Sequence, residues 1–309
     1  MTPLTFYTVD VFAVDKYTGN QLAVFPHASH LSPSQMQRLA LEINYSETTF
    51  ITSTQPDNGG YNVRIFTPKK ELPFAGHPTL GTAYIIQREI IQEPVAIVNL
   101  NLQVGQIPVS WDRTDDGDEV LWMRQNPPTF HQIFTAADLA PILNLEVDEI
   151  DNRYPIQEVS TGVPFIIVPL KNHTALKRSR INREKYFQFI ENTYAKEILI
   201  FCRETYSSAN QLSVRVFADS LGIPEDPATG SANGCLAGYL VKYDYLGDGK
   251  EGLCDAKGGR SHRAVDVRVE QGYEIDRPSL LFLKARSEGE SIQISVGGKV
   301  IMVAKGEFV

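Results

Sequence analysis

The sequence predicts an α+β chain built from two similar halves, each a curved sheet wrapped around one enclosed helix. Three observations carry this reading. The string "TGNQLAVFP" at 18–26 returns as "TGVPFIIVP" at 161–169, with the same T-G start, apolar run and closing proline. "VRIF" at 63–66 returns as "VRVF" at 214–217, in the same order along the chain. The offsets are 143 and 151 residues, far beyond the roughly 20–50-residue periods of solenoids, so one large unit is used twice. Third, two segments, 78–87 and 231–241, are apolar on every face and rich in small residues: Gly81, Ala83, Ala232, Gly234, Ala237 and Gly238. A helix of that kind is enclosed by other elements.

The remaining elements follow in order. Period-two alternation and β-branched residues predict strands over 4–14, 21–26, 48–53, 61–66, 95–104 and 119–124 in the first half. Between them, Ser32-Pro33 reads as an N-cap with proline at the first helical position, and Met36, Leu39, Ala40 and Ile43 line one face of a helix over 33–43. The second half opens with a short helix near 135–140, stopped by Pro141. Strands follow over 163–169, 197–203, 211–217, 264–270, 279–285, 291–296 and 299–305, with a helix over 182–192. The expected division is 1–125 and 126–296, with 297–309 as a final strand.

Composition narrows the function classes. The 309 residues are 42% hydrophobic and 21% charged, enough for two globular domains with sizeable cores. A formal net charge of −8 leaves no basic footprint for nucleic acid or an anionic membrane. The longest apolar runs, such as "VPFIIVPL" at 163–170, are much shorter than the roughly 18 residues of a membrane span. The first residues lack a basic start and alternate like a strand, so no secretory leader is expected. Three cysteines without a close pair, Cys202, Cys235 and Cys254, suit reduced thiols in a cytoplasmic protein, where the sequons at Asn44 and Asn172 carry no meaning.

Chemistry concentrates at the starts of the two enclosed helices. A helix start offers unpaired N–H groups and about half a positive charge, which suits a carboxylate. "AGHP" (75–78) and "EDPATGS" (225–231) build these mouths from small residues that let a ligand approach the backbone. One mouth presents Gly76 and His77, the other Asp226, Thr229, Gly230 and Ser231. Ala75 and Asp226 each stand 12 residues after the valine of their VR strand, and the duplication is expected to set the mouths facing one another. Gly76 to Thr82 spaces its glycines like a phosphate loop but lacks the lysine. No histidine has a histidine or cysteine at ligand spacing, so no metal site is expected. The acidic, glycine-rich stretch 244–252 lacks calcium-loop ligand order. Glu47 sits where the 33–43 helix gives way to a β-branched strand, a place where a carboxyl can lose water and serve in proton transfer.

Taken together, "DVFAVDKYTGNQLAVF", "INYSETTFI", "VRIFTPKKELPFAGHPTLGTA", "STGVPFIIVPL", "VRVFADSLGIPEDPATGSANG", "EQG" at 270–272 and "VGGKVIMVAKGEF" resemble the PhzF-like (phenazine-biosynthesis isomerase) family over nearly the whole chain. The resemblance implies a diaminopimelate epimerase-like fold of two β-barrel-like domains with a site between them and a final strand returning to the first. It implies a cofactor-independent isomerase, commonly a homodimer, that shifts a hydrogen between carbons of a small carboxylate such as trans-2,3-dihydro-3-hydroxyanthranilate. Glu47 matches the proton-transferring glutamate, with His77 and Asp226 as further catalytic groups. Asn20, Gly76, Thr229, Gly230 and Ser231 match substrate-binding positions. The chain departs from the family pattern at Gln21, where proline is usual, and at Ile275-Asp276, where Met-Gly is common. Two other functions compete: a two-thiol epimerase or racemase, disfavoured because the mouths hold Ala75 and Asp226 where cysteines would stand, and a non-catalytic ligand- or protein-binding module.

Overall fold

The computed structural model describes residues 3–114, 117–247 and 263–309. The chain divides into two units: Met1–Arg124 with Asp276–Leu280 and Gly297–Val309, and Gln125–Ile275 with Leu281–Val296. Unit 1 contains β1 (Leu4–Val11), β2 (Asn20–Phe25), α1 (Pro33–Ile43), β3 (Glu47–Ile51), β4 (Tyr61–Phe66), β5 (Glu71–Leu72), α2 (Gly76–Ile85), β6 (Ile97–Leu102) and β7 (Gly105–Arg113). Strand β8 (Glu119–Gln125) leads out of it. Unit 2 continues with β9 (Thr129–Phe134), α3 (Ala136–Leu143), β10 (Ile156–Ser160), β11 (Pro164–Pro169), α4 (His173–Arg178), α5 (Arg183–Ile190), β12 (Glu197–Cys202), β13 (Leu212–Ala218), β14 (Ile223–Asp226), α6 (Gly230–Tyr243) and β15 (Ala264–Gln271). The chain ends with β16 (Ser279–Glu288), β17 (Ser291–Gly298) and β18 (Val300–Phe308).

The duplication is visible in strand directions. In unit 1, β1–β2 is antiparallel, β2–β3 parallel, β3–β4 antiparallel and β4–β6 parallel. In unit 2, β10–β11 is antiparallel, β11–β12 parallel, β12–β13 antiparallel and β13–β15 parallel. A parallel step needs a crossover. The first is supplied by α1 or by α4 and α5, the second by the enclosed helix, α2 or α6. Even the bidentate pair Arg64–Glu71, from β4 to β5, has its counterpart in Arg215–Glu225, from β13 to β14. Strand β18 pairs antiparallel with β1 along its length, Leu4 opposite Phe308 and Val11 opposite Val300.

Both central helices are enclosed. Every residue of α2 is buried, against β1, β2, β3, β6, β7 and β18. A Cβ added at Gly81 would stand 2.6 Å from Leu22 Cδ2, so this side of the helix admits no side chain without movement. In α6 the residues Ala232 to Val241 are all buried. Helix α1 lies on the other face of its sheet, where Met36 and Ala40 meet the Phe25–Phe50–Phe66 aromatic group. Ser32 and Gln35 form a reciprocal capping box at its start.

Three expectations change. Helix α3 passes through Pro141 to Leu143: the proline withholds one backbone donor, and Ile142 and Leu143 beyond it are buried in an apolar cluster. β7, β9, β10 and β14 join the sheets although β7 carries Pro108 and β10 carries the buried polar residues Gln157 and Glu158. Glu158 is accommodated because it accepts from the Tyr194 and Ala195 N–H groups. Segment 276–280 belongs to unit 1, held by Arg277, which donates to Asp10, Thr18 O and Gly19 O. The departure at Ile275-Asp276 therefore marks a crossing between units, with Asp276 turning the chain at φ 56°. Among the described residues no helix is long and apolar enough to cross a membrane. Cys254 and most of the 244–252 stretch lie outside the described residues.

Candidate active site

The first cluster forms where β2, β3 and α2 meet. Helix α1 ends at Asn44 in the left-handed region, and the chain turns directly into β3, parallel to β2. That register sets Glu47, the first residue of β3, beside Leu22. After β5 the chain enters α2 through Ala75, an extended N-cap whose side chain caps nothing, so the first-turn N–H groups have no side-chain acceptor from the cap. His77 is the second residue of that helix, and its Nε2 lies 3.5 Å from Glu47 Oε2. The helix is fastened to β3 one turn on by a buried Thr82–Thr49 hydroxyl bond of 2.8 Å.

The protonation of this pair follows from burial. His77 is 5% exposed, and desolvation drives its pKa from 6.5 down to about 3, against a smaller upward pull from its hydrogen bond to the Gln21 backbone carbonyl. At neutral pH the ring is uncharged, so its contact with Glu47 is not a salt bridge. The ring's one proton serves the Gln21 carbonyl. Nε2 is then a bare acceptor, buried and with no hydrogen-bond partner among the described residues. An acceptor facing a carboxyl oxygen at this distance is suited to a proton held between them. Asn20, next to Gln21 on β2, is buried as well.

The second cluster lies at the start of α6. Asp226 ends β14 and is 8% exposed. The Thr229 hydroxyl donates to its Oδ2 at 2.5 Å. Thr229 is the N-cap of α6, again without a side-chain cap bond to the helix, and Gly230 and Ser231 are its first two residues. Helix position for helix position, Ser231 therefore corresponds to His77 and Thr229 to Ala75. Asp226 stands three residues before the N-cap, so the count of 12 residues that paired it with Ala75 does not survive in the folded chain. Glu47, His77 and Gly76 are brought together in unit 1, and Asp226, Thr229, Gly230 and Ser231 in unit 2.

Two polar residues were given no role by the sequence reading, although Gln271 lies in the "EQG" string. Gln271, the last residue of β15, bonds to Asp226, Thr229 and Asn233. Glu197, the first residue of β12, stands beside Phe165 in the same parallel register that sets Glu47 beside Leu22, and Leu22 and Phe165 are themselves repeat equivalents. The repeat offset was the signal that could have found it. Its surroundings differ from those of Glu47: Tyr186 and Ser220 hydroxyls donate to it, and burial pushes its pKa up to about 6. The thiols of Cys202 and Cys235 are both buried and pushed up to about 12, leaving no nucleophilic thiolate near neutrality. Among the described residues no three His, Cys, Asp or Glu side chains converge as a metal site would require.

The profile of a family described as phenazine biosynthesis-like protein, PhzC-PhzF, matches residues 9–306. The chain belongs to the PhzF family. A Pseudomonas aeruginosa protein named trans-2,3-dihydro-3-hydroxyanthranilate isomerase is 30% identical, over 97% of this chain and 98% of its own length. The Pseudomonas fluorescens protein of the same name is 32% identical, over 98% of this chain and 99% of its own. The crystal structure of a Bacillus anthracis PhzF-family protein superposes with a TM-score of 0.87 at 28% identity, covering both chains entirely. A probable proline racemase from Agrobacterium radiobacter reaches a TM-score of 0.60 at 9% identity, over 99% of this chain and 93% of its own, a likeness of fold alone. The chain is accordingly an isomerase of the PhzF type in a two-unit α+β fold.

Proposed function

We propose that this PhzF-family isomerase shifts a hydrogen between two carbons of a small carboxylate, with Glu47 as its single acid/base and no added cofactor. The observation that carries the reading is the buried 3.5 Å approach of His77 Nε2 to Glu47 Oε2. Glu47 takes the proton of a substrate C–H bond, and the released electron pair delocalises into the substrate's unsaturated system. The new carboxylic O–H can donate to the bare Nε2, which keeps the acid in place while the electron pair relocates. The same proton then forms a C–H bond at a second carbon, and Glu47 returns to its starting state. Atoms and electrons balance without an oxidant. His77 stays neutral throughout, because its proton is committed to the Gln21 carbonyl and burial opposes a second one.

In this reading the α6 mouth, with Thr229, Gly230 and Ser231, holds the substrate carboxylate, and Asp226 hydrogen-bonds a polar group whose charge changes. Asn20 and Gly76 contribute binding in unit 1. The name of the Pseudomonas relatives supports trans-2,3-dihydro-3-hydroxyanthranilate as the first substrate to try. The enzyme is further read as a cytoplasmic homodimer, and light scattering that gives a monomer mass would remove the dimer. The decisive experiment incubates wild type and Glu47→Gln with that compound and follows the loss of the substrate C–H signal and the appearance of the relocated one by ¹H NMR. The variant should fold normally and lose at least about 10²-fold in rate. Wild-type turnover by Glu47→Gln would eliminate the proposed base.

A further inference from the structure

Gln271 is 1% exposed, and among the described residues its amide bonds to Asp226, Thr229 and Asn233, around the turn into α6. Its Nε2 donates to the Asp226 carbonyl at 2.8 Å and to the Thr229 hydroxyl oxygen at 3.1 Å. Its Oε1 accepts from the Thr229 N–H at 3.3 Å and from Asn233 Nδ2 at 2.9 Å. Asn233 Nδ2 in turn donates to the Thr229 carbonyl at 3.0 Å. Only one orientation of the amide satisfies these four neighbours, since a carbonyl needs the NH₂ and a backbone N–H needs the oxygen.

The consequence reaches Asp226. The Thr229 hydroxyl oxygen accepts a hydrogen bond from Gln271, which turns its own proton away from that amide, and it donates to Asp226 Oδ2 at 2.5 Å. The N-cap N–H of Thr229 is also spent, on Oε1. The first-turn amides of α6 begin one residue further on, at Gly230. Asp226 and Gln271 are 45 residues apart, so nothing local fixes this arrangement.

We propose that Gln271 is the positioning residue of the α6 mouth: its amide sets the direction of the Thr229–Asp226 hydrogen bond and the shape of the 226–229 turn, and so substrate binding. The kinetic consequence rests on the functional reading above; the structural one does not. Gln271→Met removes all four bonds at nearly equal volume. Gln271→Glu keeps the acceptor, and recovers a donor only when protonated.

Two measurements test this. Amide hydrogen exchange, read on the folded protein without ligand, should speed at least about tenfold at Thr229 in Gln271→Met, while α6 interior amides such as Leu236 stay unchanged. With trans-2,3-dihydro-3-hydroxyanthranilate, Gln271→Met should raise KM at least about tenfold with kcat within about threefold. Gln271→Glu should regain wild-type KM progressively as pH falls, and Gln271→Met should not. Unaltered exchange at Thr229 overturns the proposal, and so does a variant whose melting temperature falls while KM and its pH profile match wild type. A wild type that leaves every carboxylate unaltered refutes the functional reading instead, and the exchange result still decides the role of Gln271.

Discussion

The neutrality of His77 can be tested through the acid sensitivity of the fold. Its pKa is 6.5 in an unfolded chain and about 3 when folded, because burial disfavours the imidazolium. A depressed folded pKa contributes stability that is fully present above 6.5 and is lost as pH falls, since the unfolded chain gains the proton first. At 1.36 kcal/mol per unit the full effect is about 5 kcal/mol, reached near pH 3, and at pH 5 about 2 kcal/mol is already lost. Gln in place of His77 cannot titrate, although its amide can still donate to the Gln21 carbonyl. The wild-type advantage over His77→Gln should therefore shrink by about 2 kcal/mol between pH 7.5 and pH 5. Urea unfolding at the two pH values measures the difference, with separate transitions assigned to their units. Imidazole ¹⁵N NMR should show one neutral tautomer, protonated on Nδ1, from pH 8 to pH 5. A pH-independent difference together with a His77 resonance titrating near 6.5 would refute the buried, neutral acceptor on which the proton-transfer step depends.

Glu197 should show the opposite sign: its folded pKa of about 6 lies above the unfolded value, so wild type loses about 2 kcal/mol as pH rises from 4 to 7.5 and Glu197→Gln does not. Unfolding midpoints at both pH values check this, and a difference that does not move with pH would discredit the burial-raised pKa of Glu197. At Gly238 an added Cβ would stand 2.8 Å from two atoms of the rigid Pro128 ring, whereas at Gly81 the closest atom is the movable end of Leu22. Overpacking costs about 1–3 kcal/mol and alanine's helix preference returns up to about 1 kcal/mol, so Gly238→Ala should destabilise by about 2 kcal/mol and Gly81→Ala by less. Equal melting temperatures for the two variants and wild type would show that the helices are not tightly enclosed.

What could be read from the sequence alone was whatever is encoded locally or by repetition. Apolar residues on every side of 78–87 and 231–241 leave a helix no wet face, so both had to be enclosed. Ser32-Pro33 marks a helix start in any context, and the paired T-G and V-R strings exposed the duplication that the strand directions reproduce. Glu47 and His77 stood out because their types are unusual beside such apolar neighbours. Pro141, β10 and the Ala75–Asp226 alignment were misread because local propensity and residue counting ignore burial and loop length. Only the folded chain could join Glu47 to His77, spend the histidine's proton on the Gln21 carbonyl, pair Asp10 with Arg277 and bring Gln271 to Asp226. The same register carries Glu47 and Glu197, yet one meets a bare imidazole nitrogen and the other two hydroxyl donors. The reason is physical: buried polar groups take their partners, and their proton affinities, from atoms close in space and remote in sequence.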